Sequence, residues 1–281
     1  MNYRHGFHAG NFADVFKHAL LVRLLVYLGR KDTPFRVIDT HAGEGAYDLS
    51  AEAAERTREW RGGVGRLADL SGASAEVCAL LAPYIDCLGP RDDEGKPALY
   101  PGSPSIAQKL MRAQDRAIFC ELRPDAFAAL RRRFSRDERI KAIHIDGYVG
   151  LGAYVPPKER RGLALIDPPF EREDEFEAAF DALLKSYAKW SSGIYALWHP
   201  SKSDRDIRKL HKMLRESGIR RILQLSLSIG GDGEGLRSCG MVVVNPPFVF
   251  EEEARIILSF LAARMAQGEG AGFEVAWLAG E

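Results

Sequence analysis

Cysteine is scarce in this chain. Cys78, Cys87, Cys120 and Cys239 are the four thiols in 281 residues, and none stands in a C-x-x-C pair. That excludes a disulfide-stapled scaffold and the common structural zinc patterns, and predicts isolated thiols in a reducing, cytoplasmic compartment. Net charge is missing as well: 39 Lys and Arg balance 39 Asp and Glu, for a formal charge of +0. No global field steers the chain toward nucleic acid, so a polyanionic partner would have to meet a local basic patch. Long apolar runs are absent too. The longest, residues 19–28, is interrupted by Arg23, so no membrane span is expected. The N-terminus lacks the basic–apolar–cleavage pattern of a secretory signal. Internal repeats and low-complexity tracts are also lacking. With 46% hydrophobic and 28% charged residues, what remains is an ordinary globular composition, read as one domain over residues 1–281.

Two segments concentrate positive charge. One holds Arg131, Arg132, Arg133, Arg136, Arg139 and Lys141. The other, residues 202–221, carries eight Lys or Arg against three acids, a local charge of +5. Each reads equally as a solvated helix face or as a nucleic-acid contact.

Apolar runs alternate with helical patterns, which predicts an α/β sheet with helices on its faces. A helix is expected over residues 12–28, capped by Asn11. Parallel strands are expected at 35–39, 117–121, 140–146, 163–167 and 193–199, then a closing antiparallel hairpin of 221–229 and 241–245. The interval between the first two strands is too long for a single crossover. Residues 50–98 are therefore read as a small helical insertion, with helical patterns at 52–69 and 75–87. The crossover helix follows, with Ser103 expected at its cap and Pro104 in its first turn.

Asp167-Pro168-Pro169-Phe170 carries the most chemical information. It ends the apolar strand 163–167 and suits methylation of a nucleobase exocyclic amine. The amine lone pair is delocalised into the ring, which makes it a poor nucleophile. A carboxylate and a neighbouring backbone carbonyl that accept both N–H bonds favour a pyramidal nitrogen with an available lone pair. Two prolines fix the backbone and supply no competing donor, and the aromatic ring offers a face for an unstacked base. Asn245-Pro246-Pro247-Phe248 has the same form. If its strand is the last of a hairpin, it exits at the opposite edge of the sheet, which makes it a structural strand exit.

Four successive strand ends carry Asp39, Glu121, Asp146 and Asp167. In this order they match a pocket for S-adenosylmethionine, whose cationic sulfonium suits carboxylates. The predicted fold is therefore a class I S-adenosylmethionine-dependent methyltransferase, a Rossmann-like sheet. Asp39-Thr40-His41-Ala42-Gly43-Glu44-Gly45 lets backbone approach a ligand. It does not extend to the G-x-G-x-x-G of dinucleotide binders, because Asp48 occupies the third position. Four of the seven histidines, His5, His8, His18 and His41, crowd the first 41 residues without metal-ligand spacing, so no metal is expected. The aromatic, basic and glycine residues of 2–11 suit contact with single-stranded RNA, or an arm that covers the core.

The opening Tyr3-to-His18 segment closely resembles the bacterial 23S ribosomal RNA adenine-N6 methyltransferases of the J type. The stretches 39–45, 100–104, 165–169 and 195–198 share that resemblance, which spans essentially the whole chain. It implies that His18, His41, Ser103, Glu121, Asp146 and Gly147 contact S-adenosylmethionine. It further implies that Asp167 contacts both cofactor and target amine, with Pro168, Pro169 and Phe170 completing the catalytic motif, and that Tyr3 touches the RNA. Phe170 departs from the tyrosine more usual in this family, which preserves stacking and removes a hydroxyl contact. The implied partner is 23S rRNA, with no membrane, metal or obligate protein partner. A DNA adenine-N6 methyltransferase shares the motif, and a non-catalytic RNA-binding protein could share the fold.

Overall fold

The computed structural model describes residues 4–280. In chain order its strands are β1 (Arg36–Asp39), β2 (Ala46–Tyr47), β3 (Tyr100–Pro101), β4 (Arg116–Glu121), β5 (Ile140–His144), β6 (Gly162–Ile166), β7 (Ile194–Pro200), β8 (Ile222–Ile229), β9 (Ser238–Val244) and β10 (Ala271–Ala279). Its α-helices are α1 (Phe12–Gly29), α2 (Glu52–Thr57), α3 (Ala75–Leu88), α4 (Ser103–Leu110), α5 (Pro124–Phe134), α6 (Gly147–Tyr154), α7 (Glu175–Lys189), α8 (Asp204–Glu216) and α9 (Phe250–Met265).

The main sheet runs β10-β8-β9-β7-β6-β1-β4-β5. From β5 to β7 the strands are parallel; β9 is antiparallel to both β7 and β8, and β10 to β8. Both faces of β1, β4, β6 and β7 are largely apolar because both are covered, while the edge strand β5 is left part-exposed. Alternate residues serve alternate faces: Val37, Leu163 and Leu165 belong to one buried cluster, Ile38, Ala164 and Ile166 to the other. The first cluster is capped by α1, α3, α4, α5 and α9, the second by α6, α7 and α8. Strand order reverses between β4 and β6 on either side of β1. The carboxyl ends there form the crevice in which open α/β sheets hold ligands.

The expected strands occur within a residue or two of their predicted limits, except β9, which starts three residues before the expected 241. The expected closing hairpin is β8–β9, but a third antiparallel strand, β10, extends it on the far side of β8. Of its residues, Val275 alone is buried. Its apolar stretch, Val275-Ala276-Trp277-Leu278-Ala279, is left mostly part-exposed, and it pairs along the open edge of β8.

Helix α1 is buried almost all round, so its sequence shows no polar stripe. Asn11 caps it as expected, its side-chain oxygen accepting from the Asp14 N–H at 3.0 Å. The pattern at 52–69 does not make one helix. It breaks into α2 and two 3-10 turns, Glu59–Gly62 and Val64–Leu67, with Arg58 in the left-handed region at φ 51°. Close packing on α1 decides this: a Cβ on Gly63 would sit 2.1 Å from the Gly10 carbonyl oxygen. Trp60, Val64, Leu81 and Tyr84 join the same buried cluster as α1 and the sheet. No described helix is long and apolar enough to cross a membrane.

Candidate active site

A cavity of about 580 Å³ opens at the carboxyl ends of β1, β4, β6 and β7. Eight of its lining residues are acidic and four are Lys or Arg, so it favours a ligand with positive charge. Each predicted residue can be placed against it, except Tyr3, which lies outside the described residues.

Asp167, Pro168, Pro169 and Phe170 leave β6 and line the cavity together. Phe170 has φ 49°, an unusual conformation for a residue with a bulky side chain. Such backbone costs on the order of 1–3 kcal/mol and persists where surroundings over-determine it. Here the Phe170 ring is packed against Phe176 (centroids 4.7 Å apart) and edge-on to Trp198 (5.9 Å). Phe170 and Trp198 both face the cavity and give it an aromatic wall.

The carboxylate of Asp167 meets Lys17. Lys17 Nζ donates to Asp167 Oδ2 at 2.6 Å and lies 3.1 Å from Asp14 Oδ1. Asp14 also pairs with His5 Nε2 at 2.9 Å and accepts from the Gly10 N–H. Burial by itself would raise the Asp14 pKa; the His5 and Lys17 charges override it and hold the carboxyl well below its usual range. A part-buried chain His5–Asp14–Lys17–Asp167 thus ties the amino-terminal segment to the motif.

His18 is where the structure departs from the sequence reading. Ala13, Asp14 and Lys17 turn to the cavity, while His18, one step further round α1, does not line it. Its Nδ1 is 2.8 Å from Tyr100 Oη, which in turn is 3.1 Å from Tyr84 Oη. Burial pushes the imidazole pKa down to about 3, so it is neutral. Its Nε2 is buried with no hydrogen-bond partner among the described residues.

The remaining predicted positions converge. His41 lines the cavity with its Nδ1 2.7 Å from Thr40 Oγ1 and its ring edge-on to Tyr148. Burial lowers its pKa to about 4. Glu121 accepts from the Gly43 N–H at 2.8 Å and the Arg123 N–H at 2.7 Å, which pins the β1 loop to the end of β4. Asp146 caps α6, its Oδ1 accepting from the Tyr148 and Val149 N–H groups. Its other oxygen is left for the cavity it lines. Gly147 is a packing requirement, since a Cβ there would come within 2.1 Å of the Thr40 carbonyl oxygen.

Ser103 is not the cap of α4; Gly102 is, and Pro104 falls in the first turn. The Ser103 hydroxyl instead donates to Asp39 Oδ2 at 2.6 Å. Asp39 sits beneath the cavity rather than lining it. Burial raises its pKa to about 7, against the lowering effect of the Ser103 hydrogen bond.

Lys17, on the helix expected over 12–28, has no site role in the sequence reading, which also misses Trp198, Lys202, Leu236 and Glu59 as lining residues. Spacing on α1 carried a signal, because Asp14 and Lys17 at i, i+3 share a face. Leu236 had none, since a loop residue has no periodicity. Asn245, by contrast, lies at the other edge: Val244 pairs with Tyr195 at the start of β7. Asn245 Nδ2 donates to the Ser191 and Gly193 carbonyls, both at 2.8 Å, which makes it a loop brace.

Residues 32–279 match a family described as ribosomal RNA large subunit methyltransferase D, RlmJ. The chain belongs to this family. It is 38% identical over 283 residues to the ribosomal RNA large subunit methyltransferase J of Escherichia coli K12, covering all of both chains. It is 37% identical to the protein of the same name from Haemophilus influenzae, again over the full length of both. A solved structure from Legionella pneumophila strain Philadelphia 1 superimposes with a TM-score of 0.86 at 32% identity, covering 96% of this chain and 98% of that one. The sheet and cavity described above are therefore those of a member of this methyltransferase family.

Proposed function

We propose that this protein uses S-adenosylmethionine to methylate N6 of an adenine in 23S ribosomal RNA. One observation carries the reading: an Asp-Pro-Pro-Phe turn at the end of β6 opens into an acid-lined cavity at the sheet's switch point. Family membership supports it, as do the names of relatives that match the chain end to end.

The residues fit the cofactor. Excess carboxylate suits a sulfonium cation, and a phosphate-bearing cofactor would want the opposite charge. Glu121, Asp146, Gly147 and His41 would hold S-adenosylmethionine. Ser103 would act through Asp39, and His18 as a neutral support behind the wall. S-adenosylmethionine supplies an electrophilic methyl group.

The chain's own residues supply position and polarity. Phe170 and Trp198 receive the unstacked base. Asp167 and the Pro168 carbonyl accept the two N6 hydrogens, which withdraws the lone pair from the ring. Lys17 holds Asp167 in place until the amine arrives. The methylated ammonium is strongly acidic and loses its proton to Asp167 or to water. Most of the acceleration comes from orientation.

Transfer of labelled methyl from S-adenosylmethionine to unmodified 23S rRNA, with 16S rRNA and duplex DNA in parallel, tests this. Nucleoside digestion and mass analysis should give N6-methyladenosine from 23S rRNA alone. Label confined to DNA, or a methylated base other than adenine, defeats the proposal.

A further inference from the structure

The basic segment 202–221 resolves into α8 and its flanks, and its charges are not evenly spread. Arg205, Arg208, Lys212 and Arg215 are all exposed. Their spacing of i, i+3, i+7 and i+10 places them on one arc of roughly 80°, along about 15 Å of helix axis. Leu210 and Leu214, on the opposite face, are buried in the cluster beneath the sheet. Lys209 turns aside to pair with Glu177 at the start of α7. Lys212 has a carboxylate neighbour, Glu216, only at 3.9 Å and exposed, an ion pair of little worth. The arc starts at the cavity, because Pro200 and Lys202 line it just before α8 begins.

The second basic segment differs. Arg131, Arg132 and Arg133 occupy the last turn of α5, where positive charge complements the helix dipole. Arg139 is held by Asp137 and the Met111 carbonyl. Those arginines have a structural account; in the α8 stripe Arg215, in the last turn of its helix, shares the dipole argument, while Arg205, Arg208 and Lys212 do not.

We propose that the Arg205–Arg208–Lys212–Arg215 face of α8 docks the phosphate backbone of the substrate RNA next to the adenine in the cavity. This rests on the RNA reading above and assigns the basic segment that serves it. Phosphate contacts of this kind set register and orientation, while the cavity selects the base. An anionic membrane is disfavoured, because the apolar residues of α8 that would enter lipid are already buried.

The test uses the full chain carrying Arg205→Gln, Arg208→Gln, Lys212→Gln and Arg215→Gln together. A partial variant has Arg208→Gln and Lys212→Gln, and an α5 counterpart has Arg131→Gln, Arg132→Gln and Arg136→Gln. Affinity for 23S rRNA is measured by anisotropy from 50 to 200 mM salt, with KM and kcat for transfer; cofactor affinity and thermal melting report folding. At about 0.7 released ions per single-strand phosphate, losing four contacts lowers the log–log salt slope by about 3 and, counted from a 1 M reference, weakens binding roughly 600-fold at 0.1 M salt. KM should rise with kcat unchanged at saturating RNA, the partial variant should lose about half the slope, and the α5 variant should match wild type. An unchanged slope in a folded fourfold variant overturns the proposal. So does an equal loss from α5, or a loss of binding to phosphatidylserine vesicles without a loss to RNA. Wild-type protein that methylates no RNA defeats the functional reading itself, and is told apart because no variant is needed to see it.

Discussion

Lys17→Met removes the cation between two carboxylates and keeps most of the side-chain volume. Taking one partner from a buried ion pair typically costs about 3–5 kcal/mol, because the other charge is left uncompensated. Asp14 keeps His5 at 2.9 Å and the Gly10 N–H at 2.9 Å, and the Asp167 side chain is 15% exposed, so both retain some solvation. The loss should therefore fall nearer 2–3 kcal/mol, or roughly 3–5 °C in melting temperature for a protein of 281 residues. Its pH dependence identifies the cause. Asp14 is held well below its ordinary value in the folded protein. A carboxyl lowered in this way adds stability above its unfolded pKa, near 4, and that stability is lost as pH falls toward the folded value. Without Lys17 the Asp14 carboxyl rises and binds its proton earlier. The gap between wild type and variant should be full above about pH 4 and should narrow as pH falls below it toward the folded Asp14 value, measured as melting temperature in matched buffers. A gap that stays constant over that range would show that Lys17 contributes packing and no charge. Turnover should fall about 100-fold, the usual effect of a reacting group displaced by an ångström.

Asp167→Asn should nearly abolish methyl transfer while S-adenosylmethionine still binds, checked by calorimetry beside turnover; normal turnover removes Asp167 from the mechanism. Asn245→Ala should do the reverse. Losing two hydrogen bonds to the Ser191 and Gly193 carbonyls, and an asparagine that tolerates φ 55°, should cost about 2 kcal/mol in urea unfolding and leave kcat alone. Asp39→Asn addresses a carboxyl whose folded pKa is raised to about 7. A raised carboxyl is bound to its proton in the folded chain between about pH 4 and 7, so stability falls as pH rises through that window. The asparagine variant should lose that decline and be the more stable protein above pH 7; an unchanged melting profile from pH 4 to 8 counts against a raised Asp39.

Local chemistry determined a great deal here. Apolar runs of five or six residues, ending in acids and separated by helical patterns, specify parallel strands buried on both faces. Within such a sheet the acids must gather at one edge. The Asp167 motif was legible because two prolines and an aromatic ring leave few alternatives for the backbone. The Asp167 motif and its look-alike at Asn245 could also be assigned to opposite edges of the sheet from hairpin topology alone.

The rest depends on contacts distant in sequence. Lys17 and Asp167 are 150 residues apart, and nothing in either segment specifies a 2.6 Å ion pair between them. Ser103 has the sequence signature of a helix cap, yet its hydroxyl goes to a buried carboxylate, because an unpaired acid under the cavity costs more than an unmade cap. His18 and Lys17 are adjacent in a helix with no polar stripe, so only the packing of α1 decides which faces the cavity. Strand β10 exists because β8 offers an unpaired edge. Sequence thus determined which groups are present and which edge of the sheet they reach. Tertiary structure decided their pairing, because burial and charge compensation are properties of neighbours that the chain brings together only when folded.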